Sequence, residues 1–277
     1  MKRGCILYER ETAKERKGYI DLYRKYFAEY GVQMRLLFTD NYRKELEKAG
    51  VDFAIVRVIA PEISKELEEM GITVYNNSVV SEICNDKWKT YQYIQAHTDV
   101  SFLRTVTAEE FLLGENDFSY PMIVKSRTGH GGTEVFQVFS YEEATCLIAQ
   151  YPPHSLLVQE KATDSGRDVR VFVVGTQVIA AMLRISETDF RSNYCLGGRA
   201  EPYLLSQKER RMVTKIMELF HFGMAGIDFI FHEGEAVFNE IEDVVGARML
   251  YDRTEIDIVK EYVKWIMEEE GGTARRW

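Results

Sequence analysis

Short apolar runs alternate with stretches of helical spacing through the first third of the chain. CILYE (5–9), QMRLLF (33–38), FAIVRVI (53–59) and ITVYNN (72–77) read as strands. AKERKGYIDLYRKYFAEYG (13–31), NYRKELEKAG (41–50) and ISKELEEMG (63–71) carry apolar positions three and four apart and read as helices, with Gly31 and Gly50 as C-terminal caps. Strands alternating with helices predict a parallel sheet and an α/β domain over residues 1–80. A further helix is predicted from about Asp86 to His97.

The pattern then changes. Helix starts are marked by Thr107 with Glu110, Ser140 with Glu143, and Ser206 with Glu209, each a Ser/Thr-x-x-Glu box. The strands between them come as hairpins. DVRVFVVGTQVIAAMLRI (168–185) folds about Gly175-Thr176, which fits a type II′ turn. MIVK and EVFQVF flank a loop holding Gly129, Gly131 and Gly132. AGIDFIF and EAVFNEIE form a last hairpin. This is α+β architecture on antiparallel sheets, divided at 81–160 and 161–270, with a tail at 271–277 expected to be mobile. No internal repeat or low-complexity segment is visible.

Composition narrows the partners. With 35 basic and 44 acidic side chains the net charge is −9, which argues against nucleic acid and acidic membranes as partners. No apolar run approaches the roughly 20 residues of a membrane helix. The apolar stretch before Glu9 is too short for a signal-peptide core. Cys5, Cys84, Cys146 and Cys195 show no metal spacing, so they read as reduced thiols of a cytoplasmic protein.

Three places carry candidate chemistry. The glycine loop precedes a strand instead of a helix and lacks GK[ST], so neither a Walker A loop nor a dinucleotide fingerprint fits. A mobile surface hairpin and a lid with amides free to cover phosphates both remain. Lys125 ends an apolar strand just before that loop, where a lysine needs an anionic partner or an escape to solvent. The last hairpin carries Asp228, Glu240 and Glu242. With a three-residue loop His232-Glu233-Gly234, Phe231 would face Glu235, Asp228 would face Phe238, and the three carboxylates would share a face. A two-residue loop would scatter them. Clustered carboxylates repel unless the face is wet or a cation sits among them, and Mg²⁺ favours such oxygen donors. Arg57 and Arg248 are candidates for holding a substrate carboxylate. His130 lies in the glycine loop, and Cys195 is a weak candidate nucleophile.

DKWKTYQYI, PMIVKSRTGHGG, VQEKATDSGRDVRVFVVG, FRSNYCLGG, GIDFIF and NEIE occur in the order and approximate spacing found in ATP-grasp enzymes. More narrowly, the chain resembles the RimK-like carboxylate–amine ligases, relatives of glutathione synthetase, over roughly residues 50–250. The resemblance implies an α/β N-terminal domain followed by an ATP-grasp domain whose two subdomains clasp ATP between antiparallel sheets. It implies Lys87 and Lys125 on nucleotide phosphates beneath Gly129, Gly131 and Gly132. Glu160, Lys161 and Ala162 would lie along the adenine, with Asp168 and Arg170 also at the nucleotide. Arg191 and Asn193 would approach the transferring phosphate as the catalytic pair. Asp228, Glu240 and Glu242 would ligate Mg²⁺, with Mn²⁺ as a substitute. One position departs: the family usually has Glu-x-Asn where this chain has Glu240-Ile241-Glu242, which puts the acceptor specificity in question.

The implied activity is amide formation through an acyl phosphate on a small-molecule or peptide acceptor, in a chain that can form homo-oligomers. Two rivals share the fold: a nucleotide-binding module without ligase activity, and a phosphotransferase acting on a non-carboxylate acceptor.

Overall fold

A computed structural model describes residues 2–48, 50–114, 117–152, 154–192 and 198–271. Strands β1 (Arg3–Tyr8), β2 (Gln33–Phe38), β3 (Phe53–Val56) and β4 (Thr73–Tyr75) form a parallel sheet in the order β2-β1-β3-β4. Both faces are covered, which is why its strands read as continuous apolar runs. Ile6, Tyr8, Phe53 and Ile55 pack against helix α2 (Lys17–Glu29), while Cys5, Leu7, Ala54 and Val56 pack against α3 (Tyr42–Lys48) and α4 (Pro61–Glu69).

The helix predicted over 13–31 is two helices: α1 (Arg10–Glu15) starts earlier and breaks at Arg16 before α2. Gly31 follows α2 in the left-handed conformation, whereas Gly50 follows α3 without it. Helix α5 (Ser78–Cys84), capped by the Asn77 side chain, lies in a stretch where the sequence pattern predicted no element. Helix α6 (Lys87–His97) is capped by Asp86.

A second sheet, β5 (Thr105–Thr107), β8 (Leu156–Glu160), β6 (Met122–Ser126) and β7 (Val135–Val138), is antiparallel throughout. Helices α7 (Ala108–Leu112) and α8 (Tyr141–Ile148) cover one of its faces through Met122, Val124 and Val158. Strand alternation turns Ile123, Lys125 and Gln159 to the other face. All three expected caps are present: Thr107 and Ser206 make full capping boxes, and Ser140 accepts from the Glu143 amide.

The third sheet runs β11 (Arg199–Pro202), β10 (Gln177–Ile185), β9 (Arg167–Val174), β12 (Met224–His232) and β13 (Glu235–Glu242), again antiparallel. Val171, Val173, Ala181, Ile227 and Phe229 face helices α5, α6 and α9 (Gln207–Met217). The other face is divided. Phe172, Val174, Met182 and Met224 meet the first domain, α10 (Arg248–Arg253) and α11 (Ile258–Glu270). Two residues back along β9 the same face becomes ionic, at Asp168 and Arg170. Neither α10 nor α11 was anticipated from the sequence.

The turn Gly175-Thr176 has the two-residue form expected, with a positive φ of 55° at Gly175 alone. A Cβ there would lie 2.2 Å from the Trp265 indole nitrogen of α11, so the turn and the C-terminal helix fit together only through glycine. Gly175→Ala is expected to lower stability by about 1–3 kcal/mol, read as a urea midpoint shift.

Candidate active site

The β12–β13 hairpin differs from expectation in a way that matters. Its loop is two residues, Glu233-Gly234, and both have positive φ, so His232 faces Glu235 and Phe229 faces Phe238. That register alone would set Asp228 against Asn239 and scatter the carboxylates. A β-bulge between Asp228 and Phe229 moves β13 one residue along, and Asp228 faces Glu240 after all, with Gly226 facing Glu242. Asp228, Glu240 and Glu242 each bring a carboxylate oxygen within 4.8 Å of the other two.

The expected positive charge among them is supplied by the protein itself. Arg170, opposite Asp228 on β9, donates from Nε and Nη2 to the Asp228 oxygens at 2.7 and 2.6 Å. Its Nη1 reaches Glu242 at 2.7 Å. Arg184, opposite Asp168 on β10, holds that carboxylate through two bonds of 2.5 and 2.7 Å and shares its Nη2 with Asp228 at 2.7 Å. Asp228 is 0% exposed. Burial opposes its ionisation, yet the two guanidiniums hold it below the usual carboxylate range. For Glu242 burial wins over Arg170 and raises the pKa. Glu240 is held down by Lys87, 3.2 Å away, against the cost of burial.

Lys125 is 4% exposed and has no carboxylate in ion-pair range among the described residues. Its ammonium donates to Tyr91 Oη at 2.8 Å, Gln159 Oε1 at 2.9 Å and Asn239 Oδ1 at 3.3 Å. Burial, with Lys87 nearby, brings its pKa down to about 7. This is the paired lysine the strand pattern required, but its resident partners are neutral. Asn239 is the extra residue of the bulge, so one irregularity both gathers the carboxylates and supports the lysine.

These groups meet in a cleft between the second and third sheets. Lys87, Lys125, Gly129, Gly131, Gly132, Glu160, Lys161, Ala162, Asp168, Arg191 and Glu240 all line it. Arg170 and Glu242 do not. They line a neighbouring cavity with His130 and Arg248, and Arg184 and Gly131 border both spaces. Asp228 lies beneath, shielded from each. Asn193 and Cys195 fall outside the described residues.

The glycine loop spans the cleft. Lys87 Nζ donates to the Gly129 carbonyl at 2.6 Å, Arg191 Nη1 to the Gly132 carbonyl at 2.8 Å, and Arg127 at the loop's base pairs with Asp86 at 2.6 Å. The segment carrying Arg191 is positioned by Gly166, φ +78°, whose amide donates to the Phe190 carbonyl; a Cβ there would come 2.8 Å from the Ser186 carbonyl oxygen. Sequence reasoning missed Gln159, Tyr91 and Arg184. Arg184 carried a signal, a lone charge in the run VIAAMLRI, and Gln159 another, a polar residue in LLVQ.

A hard cation suits the carboxylate set. All donors are oxygens and they lie within 4.8 Å of one another; Asp228 already gives both of its oxygens to guanidiniums, Oδ1 to one and Oδ2 to two.

The RimK-like ATP-grasp domain pattern matches residues 84–266. The glutamate–LysW ligase ArgX of Sulfurisphaera tokodaii is 27% identical, over 78% of this chain and 82% of its own. A probable alpha-L-glutamate ligase of Pasteurella multocida is 26% identical over 73% and 66%. The crystal structure of a RimK-domain ATP-grasp protein from Sphaerobacter thermophilus superposes with a TM-score of 0.71 at 18% identity, covering 95% of this chain and 98% of the other.

Two expectations follow. Asp228→Asn leaves two buried guanidiniums short of charge and is expected to cost about 3–5 kcal/mol in chelator-treated, nucleotide-free protein; Glu240→Gln, whose carboxylate is partly exposed and pairs with Lys87, is expected to cost less than that. Denaturant midpoints measure both. Lys125 has a folded pKa below its ordinary value, so its charging opposes folding below about pH 7, and that cost is relieved as pH rises toward 10.5. A polyphosphate beside Lys125 would restore the proton, so nucleotide binding at pH 8 is expected to be accompanied by proton uptake that Lys125→Met removes. Calorimetry in buffers of different ionisation heat reads it directly.

Proposed function

This chain belongs to the RimK-like ATP-grasp family, and from that premise we propose how its residues carry out ADP-forming ligation of a carboxylate to an amine. In this reading ATP lies in the cleft, its adenine along Glu160, Lys161 and Ala162 and its phosphates toward Lys87 and Lys125. Residues 81–160 and 161–270 act as the two jaws. Asp228, Glu240 and Glu242 would hold Mg²⁺, or Mn²⁺ in its place, and the ion would supply positive charge to offset that of the phosphates.

Lys87 and Lys125 spread positive charge along the transferring group, and the amides of Gly129, Gly131 and Gly132 close over it. Arg191, already bonded to the Gly132 carbonyl, ties that closure to the reacting end. Arg184 stands where the two cavities meet, held in place by Asp168 and Asp228. From there it orients the acceptor carboxylate as its oxygen attacks the γ-phosphorus and ADP leaves. The amine then attacks the acyl phosphate and releases inorganic phosphate. A closed loop keeps water from that mixed anhydride.

The observation that carries this reading is the junction itself: the cleft and a second cavity lined by arginines meet at Arg184, which bonds Asp228 of the carboxylate cluster. Arg170 supports the junction from below and is assigned to the carboxylates, not to the nucleotide. Relatives bearing the name glutamate ligase make glutamate the first substrate to supply.

The test is ADP release with Mg²⁺ and ATP against pooled amino acids and short peptides, with new amides sought by mass spectrometry. A ligase gives both. ADP without an amide identifies a phosphotransferase, and no turnover with any acceptor identifies a binding module. Glu240→Gln is expected to lose at least about 100-fold in rate with the fold intact; full activity removes the assigned role.

A further inference from the structure

A third space lies where the first domain meets the segment after β13. It is lined by Tyr8, Thr12, Tyr19, Tyr23 and Arg57 from the first domain, with Arg16 at its mouth and Met224, Val244 and Val245 opposite. It shares Thr12, Arg16, Val244 and Gly246 with the cavity beside Glu242, so the two are continuous. None of the described residues lining it is acidic.

Two polar atoms in its wall are unsatisfied. Tyr23 is 1% exposed, and its hydroxyl has no hydrogen-bond partner; the Nε of Arg57 has none either. Arg57 donates from Nη2 to the Val245 carbonyl at 2.7 Å, and among the described residues neither Arg57 nor Arg16 makes an ion pair. Native proteins leave few buried donors unpaired, because the desolvation cost stays unrecovered. Two such donors in one wall, beside further hydroxyls and an unpaired guanidinium, describe a site shaped for an anion. The guanidinium fork matches a carboxylate in particular, and the apolar remainder of the wall suits the carbon skeleton that would carry it.

We propose that this Arg57–Tyr23 pocket anchors a non-reacting carboxylate of the acceptor, and so restricts substrates to amino acids or peptides that keep a free carboxylate away from the reacting end. This rests on the ligase reading above, since it gives the far end of the same groove its task. Arg57 holds the anion, Tyr23 and Thr12 donate their hydroxyls to it, and Arg16 closes the mouth. The acceptor then lies along Val244 and Gly246, with its reacting end toward Arg184.

The experiment is calorimetric titration of Mg-ADP-loaded protein with matched pairs: L-glutamate against L-isoglutamine and L-glutamine, L-aspartate, L-lysine and Ala-Ala against their carboxamides. Wild type is expected to prefer the free carboxylate of at least one pair by roughly 10- to 100-fold, the worth of charge-assisted hydrogen bonds. Arg57→Gln is expected to bring the two members of that pair within about threefold while ADP affinity is unchanged. Should Arg57→Gln not fold, Tyr23→Phe decides: it removes an unsatisfied hydroxyl, so its melting temperature should hold or rise while carboxylate preference falls several-fold.

No preference in any pair, or a preference that survives in Arg57→Gln or in Tyr23→Phe, overturns the proposal and leaves the pocket an internal water site. Turnover is measured in parallel to keep the two readings apart. Carboxylate preference without any amide product keeps the pocket and removes the ligase, whereas amide formation indifferent to Arg57 does the reverse.

Discussion

The ionic knot of Arg170, Arg184, Asp168 and Asp228 is the constraint on which the rest of the site depends. It joins three neighbouring strands through side chains directly opposite one another, on a face that two residues away is hydrocarbon. A buried charge is tolerated only when its partners fill its hydrogen-bonding capacity. Here each guanidinium serves two carboxylates, and Asp228 is held from both sides. The cost of assembling these charges is met once, in folding, so the oxygens and cations that face the cleft are already oriented. Such preorganisation is what electrostatic catalysis of phosphoryl transfer asks of a protein.

The knot also accounts for Glu242. A third carboxylate at this position would be repelled by Asp228 and Glu240. It persists because Arg170 reaches both Asp228 and Glu242 with different edges of one guanidinium. The added negative charge therefore falls on the side of the second cavity, among Arg16, Arg170, Arg184 and Arg248. Glu242 thus carries the charge of the carboxylate cluster into the second cavity.

Much of this was legible in the chain. Alternating strands and helices, N-terminal caps and the Gly175-Thr176 turn are local signals; the caps and the turn lie where the pattern placed them, while the first predicted helix breaks in two at Arg16. Lys125 and the three glycines stood out because they fall within one short stretch, and Lys87 through the family resemblance alone; all five line the cleft. What stayed hidden is non-local. Helices α5 and α11 are recognisable mainly by the cores they complete. The partnership of Arg184 with Asp168 and Asp228 exists only once β9, β10 and β12 are side by side. Nothing in VFNEIE marks Asn239 as surplus; that appears only when each residue of β13 is matched with its neighbour across the ladder. The carboxylates were expected together for the right reason, charge, and by the wrong turn.

That surplus has a consequence for length variation. From the turn to the carboxylate-bearing end, β13 carries one residue more than β12 can match. A shortening by one at Asn239 would straighten the ribbon and leave Glu240 beside Asp228. A lengthening by one has no slack to use, and would rotate both glutamates into the hydrocarbon layer. Insertions and deletions are therefore not equivalent events in this strand: it can afford to become regular, but not more irregular than it already is.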